Sequence, residues 1–199
     1  MQNSQFEAKS LGIVFDLSAR LEKEGRRIVD IVKKNMIDIV RKCLIDGEDS
    51  MYLYNPDLID AYFKHGEQVC ALGNYNTDGY SFDLSMALRQ TLYVLMSEDE
   101  DFQKYLLFVT DRLANKSALE KAFHINKKEK IGCKFILVGV GDYYNKNILE
   151  NYAKKENVFY IHLNNPAELK FPQIKEYLDG KIQSCGTTDE RCELIQLSS

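Results

Sequence analysis

"LGIVFD", residues 11–16, running on into "LSAR" at 17–20, is the stretch on which the reading of the fold turns. An apolar run ends in a carboxylate, Asp16, and a hydroxyl and a guanidinium follow at alternate positions, Ser18 and Arg20. A strand with one wet face alternates polar and apolar residues; an unbroken apolar run instead predicts a strand covered on both faces. The polar residues behind it are either ordinary strand-end polarity or part of a site.

Outward from this strand the same unit recurs. Ile28, Val32, Met36, Ile39, Val40 and Leu44 fall at helical spacing among Lys33, Lys34, Asp38, Arg41 and Lys42, which predicts a helix over about 22–45. "MYLYN" (51–55) reads as a second strand, stopped by Pro56. Residues 57–76 read as a short helix and strand or as the two arms of an irregular hairpin, with "GNYNTDGYS" (73–81) a turn-rich loop. Leu84, Leu88, Leu92 and Leu95 mark a helix over about 82–97, and "KYLLFVTD" (104–111) is a third buried strand ending in an acid. Ser117 with Glu120 forms a capping-box pattern, placing a helix at 117–129. "CKFILVGVG" (133–141), "NKNILENYAKKE" (145–156) and "VFYIHL" (158–163) read as strand, helix and strand. Asn165 before Pro166 suits the start of a last helix reaching about 180.

Strand and helix in alternation require crossover connections. The expected fold is α/β: three layers, doubly wound, with a mostly parallel central sheet and helices on both faces, Rossmann-like in outline. Residues 10–182 read as one domain, after a short extension (1–9) and before a polar tail (183–199) expected to be flexible.

Composition narrows the function. The 199 residues are 45% hydrophobic and 28% charged, with a net charge of -4. An acidic chain with scattered basic residues argues against nucleic-acid binding. No charged-then-apolar leader opens the sequence, and no apolar run approaches the ~20 residues that span a bilayer. Cys43, Cys70, Cys133, Cys185 and Cys192 contain no C-x-x-C pair and are odd in number, which suits a reducing cytoplasmic or nuclear setting. Cys43 and Cys133 lie in apolar runs and are expected to be core residues. His65, His124 and His162 are dispersed, and most of the twelve tyrosines are expected to be half-buried with wet hydroxyls.

In parallel sheets ligands bind beyond the carboxyl ends of the strands. Asp16, Ser18 and Arg20 follow the first strand, Thr110 and Asp111 end the third, and Thr77, Asp78 and Ser81 precede a helix. Carboxylates and hydroxyls from separate loops are suitable ligands for a hard cation such as magnesium. Asp16 and Asp111 are equally able to cap the helices after them, and spacing alone favours capping.

"IVFDLSAR", "NTDGYSFDLSMAL", "LLFVTD" and "FILVGVGD" together resemble, in order and spacing, the von Willebrand factor type A domain, over roughly residues 10–180. The resemblance implies a metal-ion-dependent adhesion site at the top of the sheet. Asp16, Ser18, Thr77 and Asp111 match its ligand positions, while Arg20 stands where a second serine belongs. A guanidinium has no lone pair to offer a metal. The expectation is therefore a degenerate site, with Mg2+ binding weak or absent and Arg20 serving as an internal counter-ion.

The function implied is a non-enzymatic interaction or scaffold domain that binds a protein partner at this edge. Arg20, Asp78, Tyr80 and Tyr143 are candidate contact residues, aromatics being favoured interface anchors. "GVGD" (139–142) is neither a P-loop nor a complete G-x-G-x-x-G turn and reads as close backbone packing. The alternative is a resemblance to haloacid dehalogenase-like phosphatases: Asp16 as nucleophile, Thr110, Lys134 and Asp142 in support, and Mg2+ on the phosphoryl group. Ser18 weakens it, since that family places an acid there to transfer a proton.

Overall fold

The computed structural model describes residues 8–17, 22–23, 26–45, 48–54, 62–63, 83–113, 116–142, 144–164 and 171–180. The opening stretch forms β1, Lys9–Asp16, buried along nearly its whole length. It pairs in parallel with β4 (Ser50–Leu53) on one side and β6 (Gln103–Thr110) on the other. Next come β7 (Lys134–Val140) and β8 (Val158–Leu163), both parallel. The two-residue β5 (Tyr62–Phe63) runs antiparallel on the far side of β4, so the order is β5-β4-β1-β6-β7-β8. A pair of two-residue strands, β2 (Glu22–Lys23) with β3 (Arg26–Arg27), forms a separate sheet.

Helices cover both faces because both faces are apolar. Leu11, Ile13 and Phe15 of β1 point to one side, with Val32, Met36 and Ile39 of α1 (Ile28–Cys43) and Ile174 and Tyr177 of α5 (Phe171–Leu178). Val14 points to the other side, into a core shared by α2 (Leu84–Met96), α3 (Lys116–Lys128) and α4 (Lys146–Ala153). A period of two in the strands thus feeds two separate cores. The result is the expected doubly wound α/β sandwich, and five of the six strands of its main sheet are parallel.

Boundaries differ where local chemistry outweighs pattern. The helix expected from about residue 22 begins at Ile28, where the apolar period itself starts; Glu22–Lys23 and Arg26–Arg27 form the β2–β3 pair instead. Gly25, a poor helix former, lies between those strands in sequence. Helix α3 begins at Lys116, so Ser117 is already inside it, and Glu120 pairs with Lys116 at 3.7 Å rather than completing a capping box. Asp83 caps α2, its carboxylate accepting from the Met86 N–H at 3.1 Å, and Asn145 caps α4. The Asn165–Pro166 start and the polar tail lie outside the described residues, as do most of residues 57–76.

Cys43 and Cys133 are buried, and burial pushes the Cys43 thiol up to about 11. Tyr52, Tyr54 and Tyr144 are more deeply buried than half-wet residues would be, at 4%, 4% and 5% exposed.

Candidate functional site at the carboxyl edge of the sheet

Parallel strands end together, and the register states which residues share the edge. Asp16 of β1 stands opposite Thr110 of β6, Thr110 opposite Gly139 of β7, and Gly139 opposite His162 of β8. This row crosses four strands at their carboxyl ends. Asp111 follows directly, its N–H donating to the Asp16 carbonyl at 3.4 Å. The two acids, 95 positions apart in sequence, therefore end neighbouring strands because β1 and β6 are paired. Both are buried, Asp16 at 7% and Asp111 at 1% exposed.

Thr110 organises the centre. Its hydroxyl lies 3.2 Å from Asp16 Oδ2 and 3.3 Å from the Arg112 carbonyl, and accepts from the Arg112 N–H at 3.1 Å. One hydroxyl proton serves one acceptor at a time, so Thr110 switches between Asp16 and the Arg112 carbonyl or is shared by them. Arg112 then folds back over the end of β1. Its guanidinium donates to the Leu17 carbonyl at 2.8 Å, and its Nε lies 3.9 Å from Asp16 Oδ1.

The electrostatics follow from this geometry. Burial raises the Asp16 carboxyl above its ordinary value of 3.8, while the Arg112 charge and the Thr110 hydrogen bond pull it down. Burial is the larger influence. The ionised carboxylate is thus under-compensated, although a cation stands beside it.

At the other end of the row, Tyr144 lies across Gly139, where a Cβ would overlap its ring. The Tyr144 hydroxyl pairs with Tyr160 at 2.6 Å and with His162 Nδ1 at 2.5 Å, and His162 Nε2 meets Asn164 Oδ1 at 2.8 Å. Burial pushes the Tyr144 phenol up to about 12. "GVGD" is therefore close packing at Gly139, followed by a turn at Gly141, whose φ is 70°.

Of the residues expected at this edge, Asp16 and Asp111 are brought together. Ser18, Arg20, Thr77, Asp78, Tyr80 and Tyr143 lie outside the described residues. The residue missed was Arg112: among the described residues it is the cation beside Asp16, the part assigned to Arg20. Its signal was present in "TDR", an arginine directly after the strand-end acid, but only the fold-back onto Leu17 gives it that part. Leu113 was also passed over, and it is 74% exposed just beyond the same strand end.

The donor set bears on a metal. Asp16, Asp111 and Thr110 are oxygen donors suited to a hard cation, yet a guanidinium stands against Asp16. Among the described residues no three His, Cys, Asp or Glu side chains cluster to hold an ion. Ser18 and Thr77, the other two expected ligands, lie outside the described residues.

Of the residues named for a phosphatase, Thr110 meets Asp16, but Lys134 and Asp142 do not join them. Lys134 begins β7, five residues before the Gly139 row, about 17 Å from the Asp16 edge at ~3.3 Å per residue. Its ammonium instead lies 5.5 Å from the Tyr105 ring centroid. Asp142 is exposed beyond the end of β7.

A central β1 ending in a buried acid, flanked by β4 and β6 and covered by helices on both sides, is the von Willebrand factor type A fold, and the chain has that fold. The solved von Willebrand factor type A structure from Catenulispora acidiphila matches with a TM-score of 0.69 at 14% identity, covering 88% of this chain and 44% of that one. The conserved hypothetical protein BatB from Bacteroides thetaiotaomicron matches at 0.63 and 13% identity, covering 87% of this chain and 98% of that one. Proximal thread matrix protein 1 from the mussel byssus matches at 0.54 and 19% identity, over 86% of this chain and 45% of that one. The chain thus spans less than half the length of the mussel and Catenulispora proteins. The sequence itself matches no protein-family model and no curated protein. Among the described residues no helix is long and apolar enough to cross a membrane.

Proposed function

We propose that this chain is a non-enzymatic interaction domain that engages a protein partner at the carboxyl edge of its sheet, with magnesium bound there weakly or not at all. The observation that carries the reading is Arg112 folded over the end of β1, beside the buried Asp16. Where the fold holds a metal at this edge, the cation supplies positive charge to a partner's carboxylate. A guanidinium supplies the same sign without metal, as a fork of donors that matches a carboxylate. The Arg112 side chain is 44% exposed, so part of it remains reachable from solvent. Leu113, the next residue, is 74% exposed and adds apolar surface to the same strand end.

Two measurements test this. Titration calorimetry with magnesium and manganese is expected to show no tight binding; tight binding abolished by Asp16→Ala would overturn the metal half. For the partner half, a photo-crosslinking amino acid is placed at position 113 and, as a control, at Asp101, which precedes β6 at the opposite edge. Discrete protein adducts are expected from position 113 alone, and equal labelling from both positions would count against the reading.

A further inference from the structure

Helices α2 and α3 lie side by side on the outer layer and leave a groove of about 620 Å³ between them. Its walls include Ser85 and Arg89 from α2, and Ser117, Glu120, Lys121 and His124 from α3. The charges there are two permanent cations and a histidine against one acid, and that acid is already met by Lys116 at 3.7 Å. Among the described residues none forms a hydrogen bond or ion pair with the side chains of Arg89, Lys121 or His124. The groove is therefore locally positive on a chain whose net charge is -4.

Two further features mark what would fit. Both helices connect to parallel strands, so both begin at the carboxyl edge, and Ser85 and Ser117 sit in their first turns, where the helix dipoles are positive. Further along, Tyr93 and Met96 continue the flank of Ser85 and Arg89 at helical spacing, and each is 43% exposed. A cationic region thus leads into an apolar one.

We propose that the α2–α3 groove docks an acidic segment of a partner protein, its carboxylates against Arg89 and Lys121 and an apolar side chain against Tyr93 and Met96. The charge of the groove is complementary to such a segment, and both helices are rigid supports. A lone phosphate would leave the apolar end unused. A nucleic acid would meet the net negative charge of the remaining surface. The proposal stands independently of the reading at Asp16.

The test uses the full chain and a fluorescent peptide of about a dozen residues, glutamates interspersed with leucine and phenylalanine, beside a copy with lysine for glutamate. Anisotropy is expected to show saturable binding of the acidic peptide only, weakened by salt. Arg89→Glu and Lys121→Glu are each expected to weaken it roughly tenfold. Both side chains are exposed, so these variants keep the fold, which a thermal melt verifies. Asp16→Asn is expected to leave the affinity unchanged, which separates this groove from the carboxyl-edge site. Failure to bind, equal binding of the lysine copy, or unchanged affinity in the double charge-reversal variant would overturn the proposal. Complete competition by dilute inorganic phosphate would also overturn it, by marking a small-anion site.

Discussion

A single carboxylate shows how this fold treats its edge. Asp16 is buried, and burial raises its pKa despite Arg112 and Thr110. A carboxyl whose folded value lies above its unfolded one holds its proton longer in the folded state. Its contribution to stability therefore falls as pH rises from about 3.8 through the raised value, and the loss persists above it. Asp16→Asn is expected to raise Tm at neutral pH and to flatten the stability curve across that acidic window; a lower Tm at pH 7 would contradict the account. Gly139 makes a steric argument of the same size. The Tyr144 ring occupies the space of its missing side chain, so Gly139→Ala is expected to cost about 1–3 kcal/mol in denaturant unfolding.

Elements are set by where the chain can satisfy its ends. Helix α2 begins where Asp83 accepts from the Met86 N–H, leaving Leu84, Leu88 and Leu92 turned to the sheet. Removing that acceptor with Asp83→Ala is expected to cost about 1 kcal/mol in urea unfolding, with an unchanged m-value. The start of α1 makes the complementary point. Basic and acidic residues before Ile28 carry helix propensity, but no apolar stripe, so packing gives them no reason to join the helix. The strong leucine and isoleucine periods read the same in sequence and structure; the weakly patterned flanks did not.

Across the whole molecule, one sheet couples two cores. Phe159 packs against Tyr177 on one face, with ring centroids 4.8 Å apart, while Phe108 is fully buried on the other. Because the same strands carry both sets, Phe108→Ala and Phe159→Ala are each expected to cost about 3–5 kcal/mol. Both are expected to leave a single unfolding transition. Two separated transitions in either variant would mean that the helical layers unfold independently.

Sequence by itself determined the layering: apolar runs without alternation demand cover on both faces, and their alternation with helices demands crossovers. It also placed Asp16 and Asp111 at strand ends, because each closes its own apolar run. Tertiary structure alone made the two acids neighbours, through the parallel pairing of β1 with β6, and put Arg112 beside Asp16. The same is true of the cationic groove, whose residues are split between α2 and α3 and meet only when both helices lie on one face. Periodicity is a property of consecutive residues, so a sequence displays it directly. Which distant residues share an edge or a groove depends on strand order and register, which pairing and packing select.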